Sequence, residues 1–232
     1  MATAKVTEKI TIKRPKLTRV KIRIVGDSPL ILHNWDEKNK RMMLEAQQGK
    51  TATKKKPCKM PFDDFARSLY WLTKMPTETI IDSGTGEPRE VVTEELFDKA
   101  LEEGARFGFP ANSFKLAGNA AAYRNGLVKN QMVLRAAYFL NAPDNGLFVE
   151  IKGDKPMLRE DIVHVGMGTA DLRYRAIFEH WYCDMVVEYN QSGIMKIDDI
   201  LSCIELGGYG VGVGEWRPEC DGVFGRYHIE KQ

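Results

Sequence analysis

The chain has 232 residues, of which 43% are hydrophobic and 28% charged, and its net charge is +2. This length can bury a sizeable core, and the composition is ordinary for a soluble globular protein. The near-neutral total carries no polyanion signal, but the charge is unevenly spread. Lys5, Lys9, Lys13, Arg14, Lys16, Arg19, Lys21 and Arg23 face the single acid Glu8, and Lys50, Lys54, Lys55, Lys56 and Lys59 form a second run without an acid. Acidic residues gather in 87–103. Such asymmetry places positive potential on one part of the surface.

In chain order, a basic arm covers about 1–17. Residues 18–26, TRVKIRIVG, alternate Val20, Ile22 and Ile24 with Arg19, Lys21 and Arg23. Period 2 predicts a strand with one buried and one basic face. DSPLILHNW leaves that strand through a turn, and a helix is expected over about Asp36 to Gln48. GKTATKKKPCKM reads as a basic loop. PFDDFARSLYWL, opened by Pro61, reads as a helix, and TETIIDSGTGEPREVVT as a hairpin around Gly84 to Gly86. Thr93 is the expected cap of a helix to about Glu103. About 38–60 and 78–92 read as insertions.

After FGFP, Asn112 or Ser113 is expected to cap a helix through FKLAGNAAAYR, with Phe114, Ala117 and Ala121, and Leu116 as a further candidate, on its core side. MVLRAAYFL shifts towards strand composition; GLFVEIKG, REDIVHVG and EHWYCDMVVEYN read as strands. KIDDILSCIELGG reads as a helix closed by its glycines, and a final alternating strand is expected over Val223 to Ile229. Asp63-Asp64 and Asp198-Asp199 read as caps and solvated faces. Strands, hairpins and helices in this order predict an α+β fold, a ferredoxin-like antiparallel sheet with helices on one face, in one domain over 1–232.

The four cysteines, Cys58, Cys183, Cys203 and Cys220, lack CxxC spacing, and His33, His164, His180 and His228 are scattered. The sequence therefore carries no zinc or haem signature, and no cofactor is expected. GxxxxGK[ST], HExxH and GxSxG are absent. No signal peptide and no apolar run near 18 residues are present in the sequence. The expectation is a cytoplasmic protein with reduced thiols and no membrane partner.

Three stretches can carry chemistry. Seven glycines fall between Gly207 and Gly225, interleaved with Trp216, Arg217, Phe224, Arg226 and Tyr227. A glycine loop can bring backbone N–H groups to a phosphate, arginine forks bind phosphate, and aromatics stack on unpaired bases. The segment Arg173-Tyr174-Arg175 repeats that pairing. Lys115 stands near a helix N-terminus, where a cation is unfavourable unless an anion lies beside it. The candidate nucleic-acid contacts are thus Lys21, Arg23, His33, Lys54, Lys55, Lys56, Ser113, Lys115, Arg173, Tyr174, Arg175, Gly212, Gly214, Trp216, Arg217 and Arg226. His33 is also the leading candidate for a general acid or base in a metal-independent ribonuclease.

Two of these stretches together carry a family resemblance. FPANSFKLAGNAAA, 109–122, and GVGVGEWRPECDGVFGRYHI, 210–229, resemble the Lys-bearing helix start and C-terminal glycine-rich loop of the RAMP superfamily. These are the RNA-binding backbone and processing proteins of CRISPR effector complexes. VKIRIVGDSPLILHNW, 20–35, is similar to that superfamily's opening strand. Lys115 and Gly118 are two residues apart from adjacency, which departs from the superfamily's frequent pairing. The layout also resembles small phage and prophage proteins. The resemblance implies a ferredoxin-like or RRM-like sheet and a non-catalytic protein that oligomerises along single-stranded RNA in a helical ribonucleoprotein filament. A segment at 38–60 or 78–92 would serve as a thumb between nucleotides. Single-stranded DNA binding in phage recombination and RNA cleavage are the alternatives.

Overall fold

The computed structural model describes residues 14–34, 40, 43–44, 47–49, 57–164, 168 and 170–230. The alternating stretch forms β1 (Leu17–Gly26), and the aromatic, β-branched stretch forms β11 (Trp181–Asn190). They pair antiparallel from Leu17 opposite Asn190 to Val25 opposite Tyr182. β12 (Tyr227–Ile229) lines the free edge of β1, and β7 (Tyr138–Asn141) lines the other edge of β11. The helix α3 (Ala111–Arg124) lies between β1 and β7 in the chain, and α5 (Ile197–Gly210) connects β11 to β12. The order β12-β1-β11-β7, all antiparallel with these two helical connections, is the split βαββαβ arrangement. The fold is α+β, as its alternating patterns predict.

The sheet continues past β11 through β8 (Phe148–Gly153), β6 (Phe107–Pro110) and β3 (Tyr70–Trp71). A second sheet joins β2 (Leu30–Leu32), β10 (Ala170–Phe178) and β9 (Met157–His164). Against β10 packs α1 (Pro61–Ser68). Ser68 Oγ couples the two: it accepts the Ala176 N–H at 2.8 Å and donates to the Phe65 carbonyl at 2.7 Å. The expected hairpin is present as β4 (Glu78–Ile81) and β5 (Pro88–Val91), followed by α2 (Glu94–Glu102) and, later, the single-turn α4 (Met132–Arg135). One hydrophobic core runs from Ile22 and Ile24 through Phe65, Phe107, Phe114, Tyr138 and Met185 to Tyr227.

Glycines set how closely the two main helices approach. A Cβ on Gly207 would stand 2.6 Å from the Gly118 nitrogen, and one on Gly118 would stand 3.2 Å from the Cys203 carbonyl oxygen. A Cβ on Gly208 would meet the Tyr227 carbonyl oxygen at 1.9 Å. Gly207 and Gly208 therefore lie inside α5 rather than closing it: a side chain there would separate α5 from α3 and from β12.

Other boundaries also move. The stretch at 61–72 leaves helix at Ser68 and turns into β3, because Tyr70 and Trp71 pair with Gly108 and Phe107. FGFP is a strand, and α3 starts directly after it at Ala111, with neither Asn112 nor Ser113 as its side-chain cap. Thr93 stands at the α2 cap position without a side-chain cap bond, and the last strand is confined to Tyr227–Ile229. Asp199 accepts the Lys196 N–H at 3.3 Å, as a cap should. Asp63 does not lie on a solvated face. It is fully buried, and its carboxylate accepts from Arg67 Nε, Arg89 Nη2 and the Val92 N–H at 2.8, 2.8 and 2.9 Å. That carboxylate, with buried Asp82, ties the 78–92 hairpin to α1. Within the helix expected over 36–48, Lys40, Met43, Leu44 and Gln47 are helical, and the remainder up to Gln47 lies outside the described residues.

Candidate nucleic-acid interface

The basic face of β1 is neutralised across the strand. Arg19 Nε donates to Glu188 at 2.6 Å, and Arg23 Nε to Asp184 at 2.7 Å. Arg23 also stacks over the Tyr182 ring at 4.9 Å and lies 3.7 Å from Glu230. Lys152 completes the row by donating to Asp184 at 3.0 Å. Asp184 is held below the usual carboxylate range, first by the Arg23 hydrogen bond, against burial, and then by Lys152. Lys21, opposite Val186, is exposed and has no ion pair among the described residues. Exposed cross-strand ion pairs add little stability, but they consume the positive potential that the strand's sequence displays.

Lys115 is not an open phosphate seat. It is 8% exposed, and its ammonium donates to the Arg135 carbonyl at 2.7 Å. The ammonium also lies 4.4 Å from the Phe139 ring centre and 5.5 Å from that of Tyr138. Burial pushes its pKa down. The partner demanded by a lysine in the first helical turn is thus a carbonyl at the end of α4 and two aromatic faces. Leu116, the further core candidate, is 57% exposed.

Arg175 is likewise interior, at 3% exposure. Its position in β10 turns it inward. Its Nη1 donates to Asp161 at 3.4 Å and its Nε to His33 Nδ1 at 3.2 Å, and its Nη2 lies 3.9 Å from Glu215. Guanidinium donates and never accepts, so His33 holds a lone pair at Nδ1 and its ring hydrogen at Nε2. The neighbouring Arg173 is half-buried, 3.8 Å from Asp171, and Lys59 stands over the Tyr174 ring at 5.8 Å. The segment expected to pair phosphate contact with stacking is a strand, with its second arginine spent on the interior.

The glycine segment after α5 folds as a tight, inward-bonded loop. Gly212, Gly214, Trp216, Asp221 and Gly225 all have positive φ. A Cβ on Gly225 would overlap the Val213 oxygen at 1.7 Å, and one on Gly214 would stand 2.5 Å from the Ile31 oxygen. The N–H groups of Val213 and Gly225 bond to Gly225 and Pro29 carbonyls at 2.9 and 2.8 Å, and that of Glu215 to the Ile31 carbonyl at 3.0 Å. Those of Val211, Gly212, Glu219, Gly222 and Phe224 also bond within the fold. These amides brace the loop against β2 rather than form a run of open donors, contrary to the phosphate-cradle expectation. The loop instead presents Trp216, 44% exposed, and Arg226, whose guanidinium lies 5.5 Å over the Tyr209 ring.

Five of the expected residues nevertheless converge. His33, Ser113, Gly212, Gly214 and Arg217 line one cleft of about 410 Å³. Its wall on the helix side is Ser113, Leu116, Ala117 and Ala120 of α3, its floor includes Tyr70 and Phe109, and its loop side runs from Val211 to Arg217 and on to Glu219. This volume lies in the range of small-molecule and cofactor sites. Tyr70 packs edge-on to Phe109 at 6.0 Å, and burial, then the Glu215 charge, raises its phenol pKa.

Arg217 is already engaged. It donates to Glu219 at 3.1 and 3.0 Å and to the Gly214 carbonyl at 3.2 Å. Arg124 donates to the other Glu219 oxygen at 2.6 Å. Burial opposes ionisation of Glu219, but Arg217 and Arg124 together lower its pKa. Sequence reading missed Tyr70, Phe109, Gln131, Glu215 and Glu219 as cleft residues. For the two glutamates a signal existed, since they flank Arg217 in the same loop.

Lys54, Lys55 and Lys56 lie outside the described residues. Among the described residues, no group of three or more His, Cys, Asp or Glu side chains is placed to hold a metal ion. Among them also, no helix is long and apolar enough to cross a membrane. Cys183 and Cys203 are buried thiols and Cys58 and Cys220 exposed ones. No protein-family model matches the chain, and no curated protein matches it by sequence.

Proposed function

We propose that the protein binds single-stranded RNA without cleaving it, and that copies assemble side by side along the strand as a ribonucleoprotein backbone. The observation that carries this reading is the convergence of His33, Ser113, Gly212, Gly214 and Arg217, far apart in the chain, on one open cleft. Exposed Trp216 beside it is a stacking platform for an unpaired base. Of the expected contacts among the described residues, exposed Lys21 and half-buried Arg173 and Arg226 are cations that could meet phosphates. Binding is favoured over cleavage by the His33 geometry: Nδ1 receives the Arg175 donor, so that nitrogen is not open to take a 2′-OH proton.

Filter binding of an unpaired RNA across a salt series tests the reading. Log affinity is expected to fall linearly with log salt. Absence of binding at low salt overturns the proposal. Loss of intact RNA in EDTA would replace it with the ribonuclease reading, and a preference for DNA of the same sequence would replace RNA as the polymer, since the 2′-OH is the distinguishing group.

A further inference from the structure

We propose that the cleft is a base pocket, and that Glu215 reads the amino edge of the nucleobase that enters it. This rests on the single-stranded RNA reading and gives the cleft a chemical specificity.

The charge of the lining decides what can enter. Its carboxylates are Glu215 and Glu219 and its one guanidinium is Arg217. Glu219 has both oxygens engaged, one by Arg124 and the other by Arg217. Arg217 directs Nε and Nη2 to that carboxylate and an Nη1 donor to the Gly214 carbonyl. Glu215 differs. Among the described residues its carboxylate meets one cation, Arg175 Nη2, at 3.9 Å, beyond hydrogen-bond reach. Arg175 is itself held by Asp161 and His33. A carboxylate accepts and never donates, so the Glu215 side chain offers vacant acceptor sites to whatever fills the cleft.

A phosphate would meet like charge here. An uncharged ring with an exocyclic amino group would meet its complement, since carboxylates accept from base amino groups. The surroundings suit a flat ring. Tyr70 and Phe109 supply aromatic surface, Leu116, Ala117 and Ala120 an apolar wall, and the volume of about 410 Å³ holds a base with room to spare. The backbone of Glu215 is pinned by its N–H bond to Ile31 at 3.0 Å, which fixes where its side chain leaves the loop at the cleft. Phosphates then track outside the cleft.

The test is fluorescence anisotropy with labelled homopolymer RNAs of uridine, cytidine and adenosine at fixed low salt. The wild-type protein is expected to bind the cytidine and adenosine polymers on the order of tenfold more tightly than the uridine polymer. In Glu215→Gln, whose amide both donates and accepts, that preference should shrink to about twofold or less, with uridine binding held or improved. Circular dichroism checks that the variant folds. Equal affinity for all three polymers in the wild type, or an unchanged preference in Glu215→Gln, overturns the base-pocket assignment while leaving RNA binding standing. Binding of none of the polymers overturns both.

Discussion

The three glycines of the last turn of α5 should respond in opposite directions to the same substitution. Alanine at Gly208 places a Cβ 1.9 Å from the Tyr227 carbonyl oxygen and 2.6 Å from that residue's ring. Alanine at Gly207 places one 2.6 Å from the Gly118 nitrogen. The Tyr227 carbonyl and the Gly118 nitrogen are backbone, so β12 or α3 must move. Overpacking of this kind costs about 1–3 kcal/mol, and Gly208 stands at the upper end. A chain of this size loses about 2–4 °C of Tm per kcal/mol, so Gly208→Ala should melt roughly 5–12 °C lower. At Gly210 nothing lies within 4 Å of the added Cβ. There alanine mainly restricts the unfolded chain, which stabilises by about 0.4–1 kcal/mol, or roughly 1–4 °C. Thermal melts by circular dichroism distinguish the three. A Gly208→Ala melt within about 1 °C of wild type, or a Gly210→Ala melt lower than that of Gly207→Ala, refutes the close α3–α5–β12 packing.

Two further predictions concern buried polar groups. The Tyr227 hydroxyl is buried and has no hydrogen-bond partner among the described residues, so Tyr227→Phe should leave stability unchanged or raise it by about 1 kcal/mol in a urea melt. A loss of that size would mean the hydroxyl has a partner in solution. Burial opposes ionisation of Asp82, but the N–H groups of Thr85 and Cys58, the Arg89 guanidinium and the Gly84 N–H outweigh it and hold its pKa at about 2, below the ordinary 3.8. A depressed carboxylate stabilises above its unfolded value and loses that contribution as pH falls through its folded value. The Tm of the wild type should therefore fall between about pH 4 and pH 2 more steeply than that of Asp82→Asn; parallel curves would contradict the network.

What was legible in the sequence was local and periodic. The alternation of β1 sets which of its residues are buried, Ile22 and Ile24, and β11 and the helix of α5 follow from composition and spacing. Short strands such as β2, β3 and β6 carried no period long enough to read, and Tyr70 and Trp71 join a sheet because Gly108 and Phe107 are there to pair with them. The glycine-rich stretch was visible as an anomaly, but its cause was not. Gly207 and Gly208 answer to helix packing, and Gly214 and Gly225 to loop closure on Ile31 and Val213.

The candidate site shows the same division. Residue types pointed to His33, Ser113 and Arg217, and those side chains do share a cleft. Long-range partners reversed other expectations. Lys115 is claimed by the Arg135 carbonyl, Arg175 by Asp161 and His33, and Arg23 by Asp184. These partners lie between 14 and 161 residues away in sequence, so no local pattern announces the pairing. The acids that set the character of the cleft, Glu215 and Glu219, were visible in sequence only as loop neighbours of Arg217, and the fold is what brings them to the cleft with Tyr70 and α3.

The most direct test of the central claim is to fill the cleft. Leu116 lines it from the outer side of α3 and is 57% exposed, so a larger side chain there is carried towards the cleft rather than into the core. Filter binding of unpaired RNA at low salt, wild type against Leu116→Trp, reads the result. The account predicts at least a tenfold loss of affinity with an unchanged melting temperature. RNA binding of equal strength in the folded variant would contradict it and move the interface elsewhere on the molecule.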